Sequence, residues 1–175
     1  MTTKKSPAKP GPPEQRAPGE QRHWLVKTEP AVFSYDDLAR SPKPTVWDGV
    51  RNYQARNYLR DELKPGDLVL VYHSNAEPPA VVGLARVVRE GHPDPTQFDP
   101  QDPHFDPKST REAPRWFAVD LKAVAKLKRP LPLAELRQVP GLARMMLLQK
   151  GSRLSVQPVT GPELAILSKL GGLRL

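Results

Sequence analysis

The residues best equipped for chemistry lie in three short segments. Trp47-Asp48-Gly49-Val50-Arg51-Asn52-Tyr53 packs a flat ring, a flexible glycine, a guanidinium and an amide into consecutive positions. Tyr72-His73-Ser74-Asn75 puts polar side chains where a predicted strand runs into a loop, a common place for ligand contacts on a rigid scaffold. Arg153-Leu154-Ser155-Val156-Gln157-Pro158 alternates, so Arg153, Ser155 and Gln157 point to one side of an extended chain. Together these are the parts of a pocket for a nucleobase: a π-face for stacking, and fixed donors and acceptors aimed at the base edge.

Each part also has a simpler role. Trp24, Trp47 and Trp116 are natural core residues, because aromatic side chains dominate buried area. Arg51 suits a hub that bonds loop carbonyls, Asn52 suits the N-cap of a following helix, and Ser155 suits the polar face of a strand. Motifs for covalent chemistry are missing: there is no G-x-S-x-G elbow, G-x-x-x-x-G-K-[ST] loop or G-x-G-x-x-G fingerprint. His23, His73, His92 and His104 have no close ligand spacing for zinc, and the loop with Asp94, Asp99, Asp102 and Asp106 lacks the calcium pattern and reads as solvated. Asp48 and His73 are the pair that an acid–base enzyme would use. No metal or cofactor is expected.

The elements that must position these groups follow from pattern and punctuation. A strand is expected over His23 to Lys27, and a helix opened by Ser34 with Asp37 three residues later. Asn52 to Arg60 has helical spacing and stops before Pro65-Gly66. Asp67 to His73 reads as a buried strand, and Ala80 to Arg89 as its hairpin partner. Gly91 to Pro114, with six prolines and five acidic residues, reads as a long surface loop. A strand over Trp116 to Leu127 precedes two short helices, one entered through Pro132 and one across Leu142 to Leu148. A final strand spans Arg153 to Val159, and a helix capped by Thr160 and Glu163 ends at Gly171-Gly172. Short strands punctuated by short helices give an α+β class and a small mixed barrel rather than a parallel βαβ sheet.

Composition bounds the rest. The 175 residues contain no cysteine, which removes disulfides, thiol nucleophiles and thiolate metal sites. No stretch approaches the roughly 18 apolar residues that a membrane span needs, so the chain reads as soluble and unexported. The net charge is +8 and the pI about 9.9, which favours an anionic partner, most commonly nucleic acid. Residues 1–21 are basic, proline-rich and poor in large apolar side chains, and are expected to be a disordered tail ahead of a single domain over 22–175.

In order along the chain, His23-Trp24-Leu25-Val26-Lys27-Thr28-Glu29-Pro30, Trp47 to Asn57, Gly66-Asp67, Tyr72-His73-Ser74-Asn75, Asp94-Pro95-Thr96-Gln97-Phe98, Pro114-Arg115-Trp116 and Arg153 to Pro158 resemble the motifs of EVE-domain proteins. The resemblance covers about His23 to Leu170, with Thr28 standing where Ser is common. It implies a PUA-like fold, a small β-barrel with peripheral helices akin to YTH, ASCH and SRA domains. It also implies a non-enzymatic module that takes a modified or flipped-out base of DNA or RNA into a pocket. By motif, Trp47 and Tyr53 or Trp116 would be the pocket aromatics, and Lys27, Arg51, Asn52, His73, Ser74, Arg153 and Ser155 the polar lining. Two other readings stay open: an enzyme acting on a modified base, and a module binding a small metabolite or peptide. The compartment would be the cytoplasm in a bacterium and the nucleus in a eukaryote.

Overall fold

The structure, a computed structural model, describes residues 15–175. Six strands form one mixed sheet: β1 (His23–Thr28), β2 (Thr45–Trp47), β3 (Leu68–His73), β4 (Ala80–Pro93), β5 (Phe117–Pro132) and β6 (Val156–Val159). Their order in space is β2-β5-β4-β3-β1-β6, with β1 parallel to β3 and the other neighbours antiparallel. The parallel pair needs a long crossover. The chain uses it to run from β1 through helix α1 (Tyr35–Arg40) to the far edge of the sheet, lay down β2 beside β5, and return through helix α2 (Tyr53–Asn57) and a π turn, Tyr58–Glu62.

Both faces of the sheet are buried, which explains the unbroken apolar run of β3. Val69 and Val71 point with Trp24, Val26, Val82 and Val119 into one core, closed by Tyr35, Leu38, Ala55 and Leu59. Leu68, Leu70 and Tyr72 point the other way with Leu25, Leu84 and Leu127. This second face is covered by helices α3 (Leu133–Leu136) and α4 (Gly161–Gly171), through Leu136, Leu164 and Leu167. Period-two alternation thus serves two cores at once. Each fully buried Val or Leu contributes about 1.5–3 kcal/mol.

Local signals set the helix ends. Ser34 and Asp37 form a complete capping box on α1, as Thr160 and Glu163 do on α4, and Gly172, at φ 70°, closes α4 in the left-handed conformation. Other boundaries differ from expectation. The helix expected through Arg60 is α2 plus the π turn, and the one expected across Leu142 to Leu148 is two 3-10 turns, Pro140–Leu142 and Met146–Leu148. Strand β5 continues through Pro130 to Pro132, whereas β6 starts only at Val156. The expected surface loop from Gly91 is the largest departure. Strand β4 runs on to Pro93, and Asp94 and Gln97 are wholly buried. Gln97 accepts from the Arg115 and Trp116 N–H groups and donates to the Asp94 and Trp116 carbonyls, so the segment is sewn to β5.

The tail expected to be disordered lies outside the described residues up to 14. From Arg16 onward the chain is docked on the domain. Arg16 forms a two-pronged ion pair with the buried Asp67, at 2.6 and 2.7 Å. The same carboxylate accepts from the Trp24 indole and from the Arg22 and Lys64 N–H groups. Burial alone would raise the Asp67 pKa, but these bonds outweigh it and hold the group below its ordinary value. The ionised form is therefore favoured by folding. Its stabilisation is present above the unfolded value near 3.9 and is lost as pH falls through the lower folded value. Asp67→Ala is expected to lose about 3–5 kcal/mol in urea unfolding. Asp67→Asn should flatten the acid limb of stability against pH below about 4, and an unchanged acid limb would contradict this account.

Candidate nucleic-acid interface

The two outermost strands of the sheet, β2 and β6, have no ladder to each other, and the open seam between them is a cleft of about 860 Å³. One wall is Thr45, Val46 and Trp47 of β2 with the loop 48–52. The opposite wall is Arg153 and Ser155 at the entry to β6, with Lys27 and Thr28 at the end of β1 and Ser74 just beyond β3. The Lys27 N–H donates to the Ser155 carbonyl and the Ser74 N–H to the Thr28 carbonyl, both at 3.0 Å, which fixes this wall to the sheet. Phe33 meets Trp47 edge to face, with ring centroids 6.0 Å apart, and both line the cleft. The volume falls in the usual range for a site that engulfs one small organic group.

Loop 48–52 is held by a buried carboxylate. Asp94, fully buried, accepts from the Gly49 N–H at 2.8 Å, from Arg51 at 2.9 Å, and from the Thr96 N–H and hydroxyl at 2.8 and 2.6 Å. Burial by itself would raise its pKa, yet the bonds from Thr96, Gly49 and Arg51 pull it below the ordinary carboxylate value. Gly49 sits at φ 80°, and a Cβ there would lie 2.8 Å from Nε2 of His104, so only glycine lets the loop pass.

Of the ten residues expected in the pocket, Lys27, Trp47, Arg51, Asn52, Ser74, Arg153 and Ser155 line this one cleft, and Tyr53, His73 and Trp116 do not. Tyr53 and Trp116 stack on each other, with centroids 5.0 Å apart and planes 24° apart. The Trp116 indole donates to Asp106, and the Arg51 guanidinium lies 5.3 Å from its ring, so the pair buttresses the loop from behind. His73 accepts the Tyr35 N–H on Nε2 at 3.0 Å, holding the first turn of α1. Burial lowers its pKa, against the pull of Asp36, which suits a neutral acceptor. It is not paired with Asp48, so the acid–base couple an enzyme would need there is not assembled.

The lining residues divide by what their polar atoms already do. Arg51 is a hub: its five N–H bonds go to the carbonyls of Val50 and, twice, His104, to Asp94 and to Thr96. It shapes the cleft without a donor to offer a ligand. Asn52 caps α2 by accepting the Ala55 N–H, and its Nδ2 donates to no protein group among the described residues. Lys27 has no carboxylate partner among the described residues; its ammonium makes a long 3.5 Å contact to the Ser152 carbonyl and lies 5.9 Å from the centre of the Tyr72 ring, and burial lowers its pKa. Arg153 is exposed and makes no ion pair among the described residues.

Sequence reasoning missed Phe33, Glu29, Asp48 and His104 as lining residues. His104 comes from the acidic loop, more than fifty positions from Gly49, and no local pattern announces it. A second cleft, about 730 Å³, lies at the other end of β1 beside Trp24 and Tyr58. Its carboxylates are already matched, Glu20 and Glu62 to Arg22 and Asp61 to Arg60, and none of the ten residues expected in the pocket lines it.

The family model described as the EVE domain matches residues 22–170. Thymocyte nuclear protein 1 of Homo sapiens is 44% identical over 158 residues, 81% of this chain and 70% of that protein. A crystal structure of the human THYN1 protein in complex with 5-methylcytosine-containing DNA superposes with a TM-score of 0.81 at 40% identity, covering 89% of this chain and all of that one. A hypothetical protein from Leishmania major gives 0.83 at 46% identity, over 87% of this chain and 96% of its own. No helix among the described residues is long and apolar enough to cross a membrane.

Removing the Asp94 carboxylate takes from Arg51 its ion-pair partner and from the Gly49 N–H its acceptor. Asp94→Ala is expected to cost about 3–5 kcal/mol. Asp94→Asn should cost less, but disorder the 48–52 loop enough to broaden its amide resonances. A variant with wild-type stability and an intact loop spectrum would show that the carboxylate is not what holds the wall.

Proposed function

The chain belongs to the EVE-domain family, and on that premise we propose that it reads a modified base in nucleic acid, with 5-methylcytosine in DNA the leading ligand and the seam cleft the reading site. The observation that carries this reading is the convergence of seven motif residues from four distant segments on one cleft, with an aromatic floor and, at its edge, two cations that make no ion pair among the described residues. The human relative crystallised with 5-methylcytosine-containing DNA favours DNA over RNA as the partner.

The physical steps follow from the lining. A base leaves the duplex at a cost of a few kcal/mol, least where pairing is already weak. Contact with a flat ring such as Trp47 returns about 1–3 kcal/mol. A methyl group in an apolar slot adds about 1–3 kcal/mol, enough for preference but not for absolute selection. Lys27 and Arg153 hold phosphates flanking the extruded nucleotide, while Arg51 and Asp94 keep the opposite wall in place. Reading a base in this way makes and breaks no covalent bond.

Two substitutions test the assignment. Trp47→Leu keeps much of the apolar volume but removes the flat face, and is expected to weaken binding of a 5-methylcytosine duplex about five- to hundredfold in a fluorescence titration, with the fold retained by circular dichroism. Joint replacement of Lys27 and Arg153 by alanine should lower the slope of log K against log salt by about two. Affinity and salt slope both at wild-type values would remove this cleft as the site.

A further inference from the structure

The lining of the cleft contains an electrostatic contradiction. In a protein of net charge +8 suited to an anionic partner, the residue beside the aromatic floor is an aspartate. The Asp48 carboxylate receives no hydrogen bond and no ion pair among the described residues. Its cationic neighbours act on it through space and do not bond to it. Arg51 is next but two in the chain, yet all its N–H groups are directed elsewhere. Asp94 and Asp102 add like charge, which Arg51 and His104 offset only in part, and His104 is engaged through Nδ1 with Asp102 at 3.1 Å. Asp48 is an exposed residue that faces solvent in the cleft; partial desolvation by the cleft wall and then the charge of Asp94 raise its pKa.

An acceptor left in this state repels phosphate and is satisfied by a neutral N–H donor. Among pyrimidines, the exocyclic amine of cytosine is such a donor, and an aspartate or glutamate accepting from it is a standard base contact. Thymine carries the same 5-methyl group as 5-methylcytosine but has an oxygen acceptor at position 4. Aromatic stacking and a methyl slot treat the two alike. We propose that Asp48 is the specificity-determining residue of the cleft, accepting from the 4-amino group of a bound cytosine base and rejecting thymine by placing lone pairs against its O4. This rests on the base-reading assignment of the cleft and deepens it, adding a second criterion, the amine, to the methyl group.

Matched duplexes carrying either 5-methylcytosine or thymine at one position, each opposite an abasic site so that pairing strength does not differ, isolate the contact. The wild-type chain is expected to prefer 5-methylcytosine by about tenfold to a hundredfold. Asp48→Asn, which keeps size and offers an N–H to O4, should shrink that ratio by at least tenfold, mostly by gaining affinity for thymine. A variant that merely damages the wall would lose both ligands together, so the ratio and not the affinity is the readout. Glu112→Gln, a change in an exposed carboxylate outside the cleft, should leave the ratio unaltered. A preserved ratio in Asp48→Asn, a parallel loss of both ligands, or an equal change of ratio in Glu112→Gln overturns the role of Asp48 while leaving the cleft as a reader. Absence of any wild-type preference for 5-methylcytosine over unmodified cytosine overturns the base-reading assignment itself, and this role with it.

Discussion

A single buried carboxylate, Asp94, is the constraint on which the cleft depends. Four donors converge on it: the Gly49 N–H and Arg51 from a remote stretch of chain, and Thr96 twice from its own turn. Taking an ionised carboxylate out of water costs several kcal/mol, and that cost is offset only when all its partners are in place. A half-formed arrangement is therefore worse than none. The wall of the cleft and the segment after β4 therefore depend on each other, and the same segment buries Gln97 against the Trp116 backbone at the entry to β5. Asp67 repeats the device at the other end of β1, tying Arg16, Arg22, Trp24 and Lys64 to one acceptor.

This arrangement separates holding from reading. Arg51, Asn52, Tyr53 and Trp116, the residues whose chemistry is most conspicuous, are largely occupied with one another and with the backbone. Lys27, Asp48, Ser155 and Arg153 present polar groups to the cleft from walls that cannot yield easily. A site prepared in this way loses little conformational freedom when a ligand enters, which favours affinity at modest buried area.

How much of this was legible before the fold was known depended on sequence distance. The capping boxes at Ser34 and Thr160, the Asn52 cap and the strand cores are local, set by residues within four positions, and were read correctly. The convergence of segments on a cleft was suggested by residue type and by family resemblance, and seven of the ten named positions do line it. His73 and the Tyr53–Trp116 pair were misplaced because an imidazole or a flat ring suits a ligand and a neighbouring element equally well. The burial of Asp94 and Gln97 was hidden for the opposite reason: proline and acid content mark solvent, and nothing local shows that Asp94 bonds Gly49, 45 residues away, or that Gln97 bonds Trp116, 19 residues away. Hubs with non-local partners are invisible to periodicity.

The open seam of the sheet has a consequence for the protein in a crowded solution. An unclosed sheet exposes two rows of unpaired backbone groups that a strand from another molecule can extend. Here β2 is three residues long and β6 four, and Pro158 within β6 lacks an N–H to offer. A stray strand finds too short a ladder to hold. The brevity of these borders lets the molecule keep a permanent opening in its sheet while giving self-association and fibre growth almost no template.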